Sequence, residues 1–151
     1  MTRWMGMLVV AGATALSGIG LAAQGSGSAA GGDGPKAIAS VRDVMVGMAM
    51  PASDVVFNAG AEPPKTPAEW DSVRRNAAIL AESANLLLIG TRVRDRGDWI
   101  RMATAQRDAA ESVVKAATAK DAAALADAGD KAYETCTTCH NKYWADRNQP
   151  K

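Results

Sequence analysis

Residues Glu134 to Trp144 read ETCTTCHNKYW, and this stretch holds both cysteines of the chain, Cys136 and Cys139, with its single histidine, His140. On a helix, positions i, i+3 and i+4 share one face, so two thiols and an imidazole would be presented together. Several chemistries use such groups. A structural zinc site needs four ligands, and the chain has no Cys or His beyond these. A dithiol redox site usually opens a helix beside a βαβ unit, whereas this one lies well inside a helical run. A disulfide between Cys136 and Cys139 would strain the helix that carries them.

The spacing itself names a fourth chemistry. C-x-x-C-H is the attachment signature for c-type haem. Each thiol adds across one vinyl group, making two thioether bonds, and the neighbouring imidazole is carried beneath the iron as its axial ligand. One haem c per chain is expected, bound covalently through Cys136 and Cys139, with His140 on the iron. Because His140 is the sole histidine, a second imidazole from the same chain is excluded. The other axial position is left to methionine, a weaker ligand or none.

Four helices are expected to position these residues. The first runs from about Lys36 to Asn58, with Ile38, Val41, Met45 and Met48 as an apolar stripe. Pro51 should kink it or split it in two. The second starts at TPAEW, where Thr66 caps, Pro67 takes the first helical position and Glu69 completes a capping box. Its stripe is Trp70, Val73, Ala77, Leu80, Ala84 and Leu87, and Gly90 should end it. The third spans about Trp99 to Ala117, with Trp99, Met102, Gln106, Ala109 and Val113 on one face. Asp121 caps the fourth, from Ala122 to about Ala145. The expected fold is all-α, an antiparallel four-helix bundle over residues 36–148 with haem on its C-terminal helix.

Residues 1–23 form a different kind of sequence. Arg3 is followed by an apolar run and then by small residues, as in a secretory signal. The run from Trp4 to Ala23 is also close to the roughly 20 residues that cross a bilayer, so an uncleaved membrane tether is the other reading. Either way the bundle is expected outside the inner membrane, in the periplasm, where haem is attached to such motifs. Residues 24–35, QGSGSAAGGDGP, lack any large apolar side chain and read as a flexible linker. The 17 Lys and Arg nearly balance 16 Asp and Glu, which argues against nucleic acid as a partner.

A bundle whose haem motif CTTCHNKYW closes the last helix, with VRDVM in the first, resembles the class II c-type cytochromes, cytochrome c′ and its low-spin relatives. The resemblance covers about Ala37 to Trp144. It implies an axial methionine from the first helix in six-coordinate members, which falls on Met45, with Met48 one turn on as the alternative. Met50 falls off the stripe, and Met102 belongs to another helix. Arg42, three residues before Met45, could pair with a haem propionate. Trp144 stands where cytochrome c′ usually has a basic residue. The resemblance further implies electron transfer between redox partner proteins and pairing of two copies through the first two helices. Its five-coordinate members bind nitric oxide or carbon monoxide instead, which is the alternative function. Enzymatic turnover is not expected, for want of a distal histidine or an acid–base pair. Arg92, Arg94 and Arg96 read as a solvated loop that could meet an acidic partner.

Overall fold

The structure, a computed structural model, describes residues 34–144. The expected signal segment 1–23, nearly all of the linker and the last residues of the expected bundle lie outside the described residues. Four helices account for the described fold: α1 (Val41–Ala61), α2 (Pro67–Leu87), α3 (Asp98–Ala119) and α4 (Ala122–Tyr143). Among the described residues there is no strand. The helices α1 and α2, α2 and α3, α3 and α4, and α4 and α1 all pack together, closing an all-α bundle. The connection between α3 and α4 is only Lys120 and Asp121, with Lys120 left-handed at φ 54°, so the chain turns straight back on itself.

Local chemistry sets the helix starts. The Thr66 hydroxyl accepts from the Glu69 N–H at 3.2 Å, and the Glu69 carboxylate accepts from the Thr66 N–H at 3.0 Å. Ser40 and Asp43 make the same reciprocal pair at the start of α1, and Asp121 accepts from the Ala124 N–H at 3.0 Å. All six residues of the expected α2 stripe are buried. The helix stops at Leu87, just short of Gly90, which instead takes φ 57° in a short 3₁₀ turn.

The first helix departs from expectation. Ile38 precedes it and is 89% exposed, whereas Val44 is buried. The helix is not split at Pro51. Instead Met45–Ala49 form a π-helical turn, in which the Met50 N–H donates to the Met45 carbonyl five residues back. Proline lacks an N–H and its ring presses on the carbonyl of residue i−4, here Gly47. A wide turn ahead of it relieves that conflict while the rod continues. The buried positions are therefore Val44, Ala49, Ala52, Val56 and Ala59, with a step of five across the wide turn.

Arg92 is also not where a solvated loop would put it. It is 6% exposed. Its Nε donates to the Ala39 carbonyl at 2.8 Å and its Nη1 to the Leu86 carbonyl at 2.9 Å, tying the segment before α1 to the end of α2.

Candidate functional site

The amino half of α4 packs tightly, burying Leu125, Ala128, Gly129 and Ala132. No residue of α4 beyond Ala132 is fully buried. There the helices leave a cleft of about 270 Å³, near the low end of the roughly 300–1,000 Å³ common to small-molecule pockets. Cys136, Cys139 and His140 all line it. Helix α1 contributes Met45, Ala49, Met50 and Phe57; α2 contributes Leu80, Ser83 and Leu87; α3 contributes Met102 and Gln106. The lining is mostly apolar, with three thioethers and two thiols among its side chains.

Both cysteines are free and half-buried. Burial, with a smaller contribution from Cys139, pushes the Cys136 thiol up to about 11, and burial also raises Cys139. Burial lowers His140. The thiols are thus neutral near pH 7, the opposite of the depressed values that reactive redox cysteines need. Among the described residues no three His, Cys, Asp or Glu side chains converge as a metal-holding group. The arrangement spreads sulfur and imidazole along a wall.

One polar cluster interrupts the apolar lining. The Cys136 Sγ–H donates to Gln106 Oε1 at 3.2 Å. The Thr135 hydroxyl lies within donating reach of two acceptors, Gln106 Oε1 and, at 2.7 Å, the Ala132 carbonyl. Gln106 Nε2 is buried and has no hydrogen-bond partner. The hydroxyls of Thr137 and Thr138, by contrast, are satisfied by the carbonyls of Tyr133 and Glu134.

A second set of contacts holds the end of α4. The Tyr143 hydroxyl donates to the Asp95 carboxylate, and the Lys142 ammonium pairs with Asp98. The Tyr143 ring meets Trp99 edge-on at 5.0 Å, and Trp99 Nε1 donates to the Leu87 carbonyl at 2.9 Å. Lys142 and then Arg101 hold the Asp98 carboxyl down at about 2. Burial, followed by the Asp95 hydrogen bond, lifts the Tyr143 phenol to about 12. Trp144 is half exposed, its ring 5.2 Å from that of His140.

Of the residues singled out from sequence, Cys136, Cys139, His140 and Met45 meet at the cleft. Met48 does not line it, while Met50 and Met102 do. The wide turn explains the exchange, because it puts residues five apart on one face where a regular helix would put residues three or four apart. Arg42 is exposed and borders a different surface recess, with Arg92 and Arg94. The polar role of Gln106 had a faint signal in sequence, an amide in an otherwise apolar face; its partner lies thirty residues on. Comparison with protein-family models, curated proteins and solved structures finds no match for this chain.

Proposed function

We propose that the chain is a class II-type cytochrome c, carrying one covalent haem in the cleft and passing electrons between partner proteins outside the cytoplasm. The observation that carries the reading is that both thiols and the imidazole of the C-x-x-C-H motif line one apolar cleft that a methionine from α1 also lines. The residues present fit the group: the lining is apolar, the sulfurs are neutral thiols, and among the described residues no competing metal cage is formed. A bound haem would supply one-electron exchange between Fe(III) and Fe(II).

The chain's own residues would hold and tune it. Cys136 and Cys139 would each add S–H across a vinyl group, fixing the ring along α4. His140, next in the motif, would offer a ring nitrogen to the iron. Met45 would offer thioether sulfur, a soft ligand that favours Fe(II) and raises the potential. Leu80, Leu87 and Phe57 would exclude water from the ring's faces.

Expression in a host competent for haem attachment tests the reading. Mass spectrometry should find one haem per chain that survives acid–organic extraction. Haem released by that extraction, or never acquired, refutes it.

A further inference from the structure

The arginines of the described residues fall into two groups by their partners. Arg74, Arg75, Arg101 and Arg107 each pair with an aspartate. Arg42, Arg92, Arg94 and Arg96 have no carboxylate at ion-pairing distance among the described residues. Three of these, Arg42, Arg92 and Arg94, line one recess of about 570 Å³ between the start of α1 and the loop after α2. Among the described residues no acidic side chain lines it. Asp43 is next to Arg42, but its carboxylate already accepts from the Ser40 N–H and hydroxyl, at 2.9 and 2.6 Å. Arg92 is the decisive member. It is 6% exposed, yet its Nε and Nη1 donate only to carbonyls, which hold the guanidinium without cancelling its charge. A buried charge without a counter-charge is costly. Its Nη2 has no partner among the described residues and is the nitrogen left for the recess. The Arg94 guanidinium lies 6.0 Å from the centre of the Trp99 ring, which steadies it.

We propose that this recess is a binding site for a phosphate group, as the free ion or a phosphate monoester, separate from the cleft at Cys136. Guanidinium groups meet phosphate oxygens with paired, charge-assisted hydrogen bonds. Three cations around one dianion leave a single net positive charge, whereas a carboxylate would leave two. The charge count therefore favours phosphate. Thr91 also lines the recess and adds a hydroxyl donor. The start of α1, on the rim, contributes potential of the same sign. The volume falls within the roughly 300–1,000 Å³ of small-molecule pockets, which leaves room for a substituent on the phosphate. A bound anion supplies the counter-charge that Arg92 lacks. On this reading Arg42 serves the recess and not a haem propionate.

The test is calorimetric titration of the full chain, as isolated from a haem-attaching host, at constant ionic strength in chloride. The probes are inorganic phosphate, glycerol phosphate and acetate. One saturable phosphate site per chain is expected, about tenfold or more tighter than any site for acetate. Glycerol phosphate binding at least as tightly as phosphate identifies a monoester as the ligand, and its exclusion identifies the free ion. Arg42→Gln and Arg94→Gln, both at exposed positions, should each weaken phosphate by roughly tenfold or more. Arg96→Gln makes the same charge change in the same loop but outside the recess, and should weaken it by less than about threefold. Absence of saturable binding overturns the proposal, as when a haem propionate or an acidic group of this chain already fills the recess. Acetate binding as well as phosphate overturns it too. So does unchanged affinity in Arg42→Gln and Arg94→Gln, or an equal loss in Arg96→Gln, which would mark a response to overall charge.

Discussion

The first half of α4, AAALADAGDKA, is alanine-rich and tightly packed, whereas the second, YETCTTCHNKY, has no alanine and packs loosely. Toward its start, Leu125, Ala128, Gly129 and Ala132 let neighbouring backbones come close; a Cβ added at Gly60 of α1 would sit 4.0 Å from the Ala126 Cα. Toward its end, larger and more polar side chains line a space that the other helices do not fill. Small residues close a bundle by letting helices approach. Thiols and imidazole on α4, faced by methionines of α1 and α3, line the space without filling it. The same helix thus acts as core at one end and as a wall at the other.

The largest effect should come from emptying the open end. With the cleft unfilled, its apolar lining faces water and adds nothing to the folding free energy. Cys136→Ala with Cys139→Ala should abolish covalent haem and the cooperative, native-like thermal transition. Calorimetry checks it, and a melt like that of the haem-loaded chain would show that the open end stabilises itself.

Next, the closed end should fail without touching the site. Leu125 is fully buried, and Leu125→Ala should cost about 2–5 kcal/mol in denaturant unfolding. The visible spectrum of the folded variant should match wild type. A spectral change would mean that the two halves are coupled rather than separate.

The methionines sharpen the comparison within the open end. Met45→Ala should turn a low-spin spectrum high-spin and admit carbon monoxide quickly. Met48→Ala should leave the spectrum unaltered, since Met48 does not line the cleft. Persistence of a low-spin spectrum in Met45→Ala, lost when Met50→Ala is added, would assign Met50 as a substitute ligand. A wild type that is already high-spin would move the protein to the gas-binding alternative.

What was legible in the chain divides along similar lines. The capping box at Thr66 and the α2 stripe from Trp70 to Leu87 are local, and six apolar positions in phase leave one helical face as the answer. The motif face on α4 is legible for the same reason. Helix α1 was misread because a stripe argument assumes constant pitch. Pro51 announced a disturbance, but whether the rod bends, breaks or widens depends on what packs on both sides of it. Arg92 looked like a loop cation because its acceptors are carbonyls, at Ala39 and Leu86, which carry no mark in sequence. The pairing of Gln106 with Thr135 and Cys136 joins two helices and needed the fold.

The smallest predicted effect concerns how the open half is held at its tip. Asp98 is held at about 2 against an ordinary 3.8, and Asp95 is lowered by the Tyr143 hydroxyl and the Trp99 N–H. Carboxylates depressed in the folded state stabilise it above their unfolded pKa. That contribution fades as pH falls from about 4 toward 2. Over that window the last turn of α4 should loosen from the start of α3, modestly because both carboxylates are exposed. Trp99 fluorescence would follow it, and Asp98→Asn should flatten the change.

The wide turn at Met45–Ala49 also bears on how this chain would line up with others. A π-helical turn adds one residue to a helix while leaving the faces on either side in phase. Gly47, exposed in that turn with nothing within 4 Å of where a Cβ would be, is the residue whose loss would disturb least. Deleting it would set Val44 and Ala49 at ordinary helical spacing, with Met45 and Ala52 keeping their faces. A homologue with a regular first helix would then align with a one-residue gap in mid-helix, where gaps are normally least expected, and scoring the helix without that gap would shift every residue on one side of the turn by one against its counterpart here.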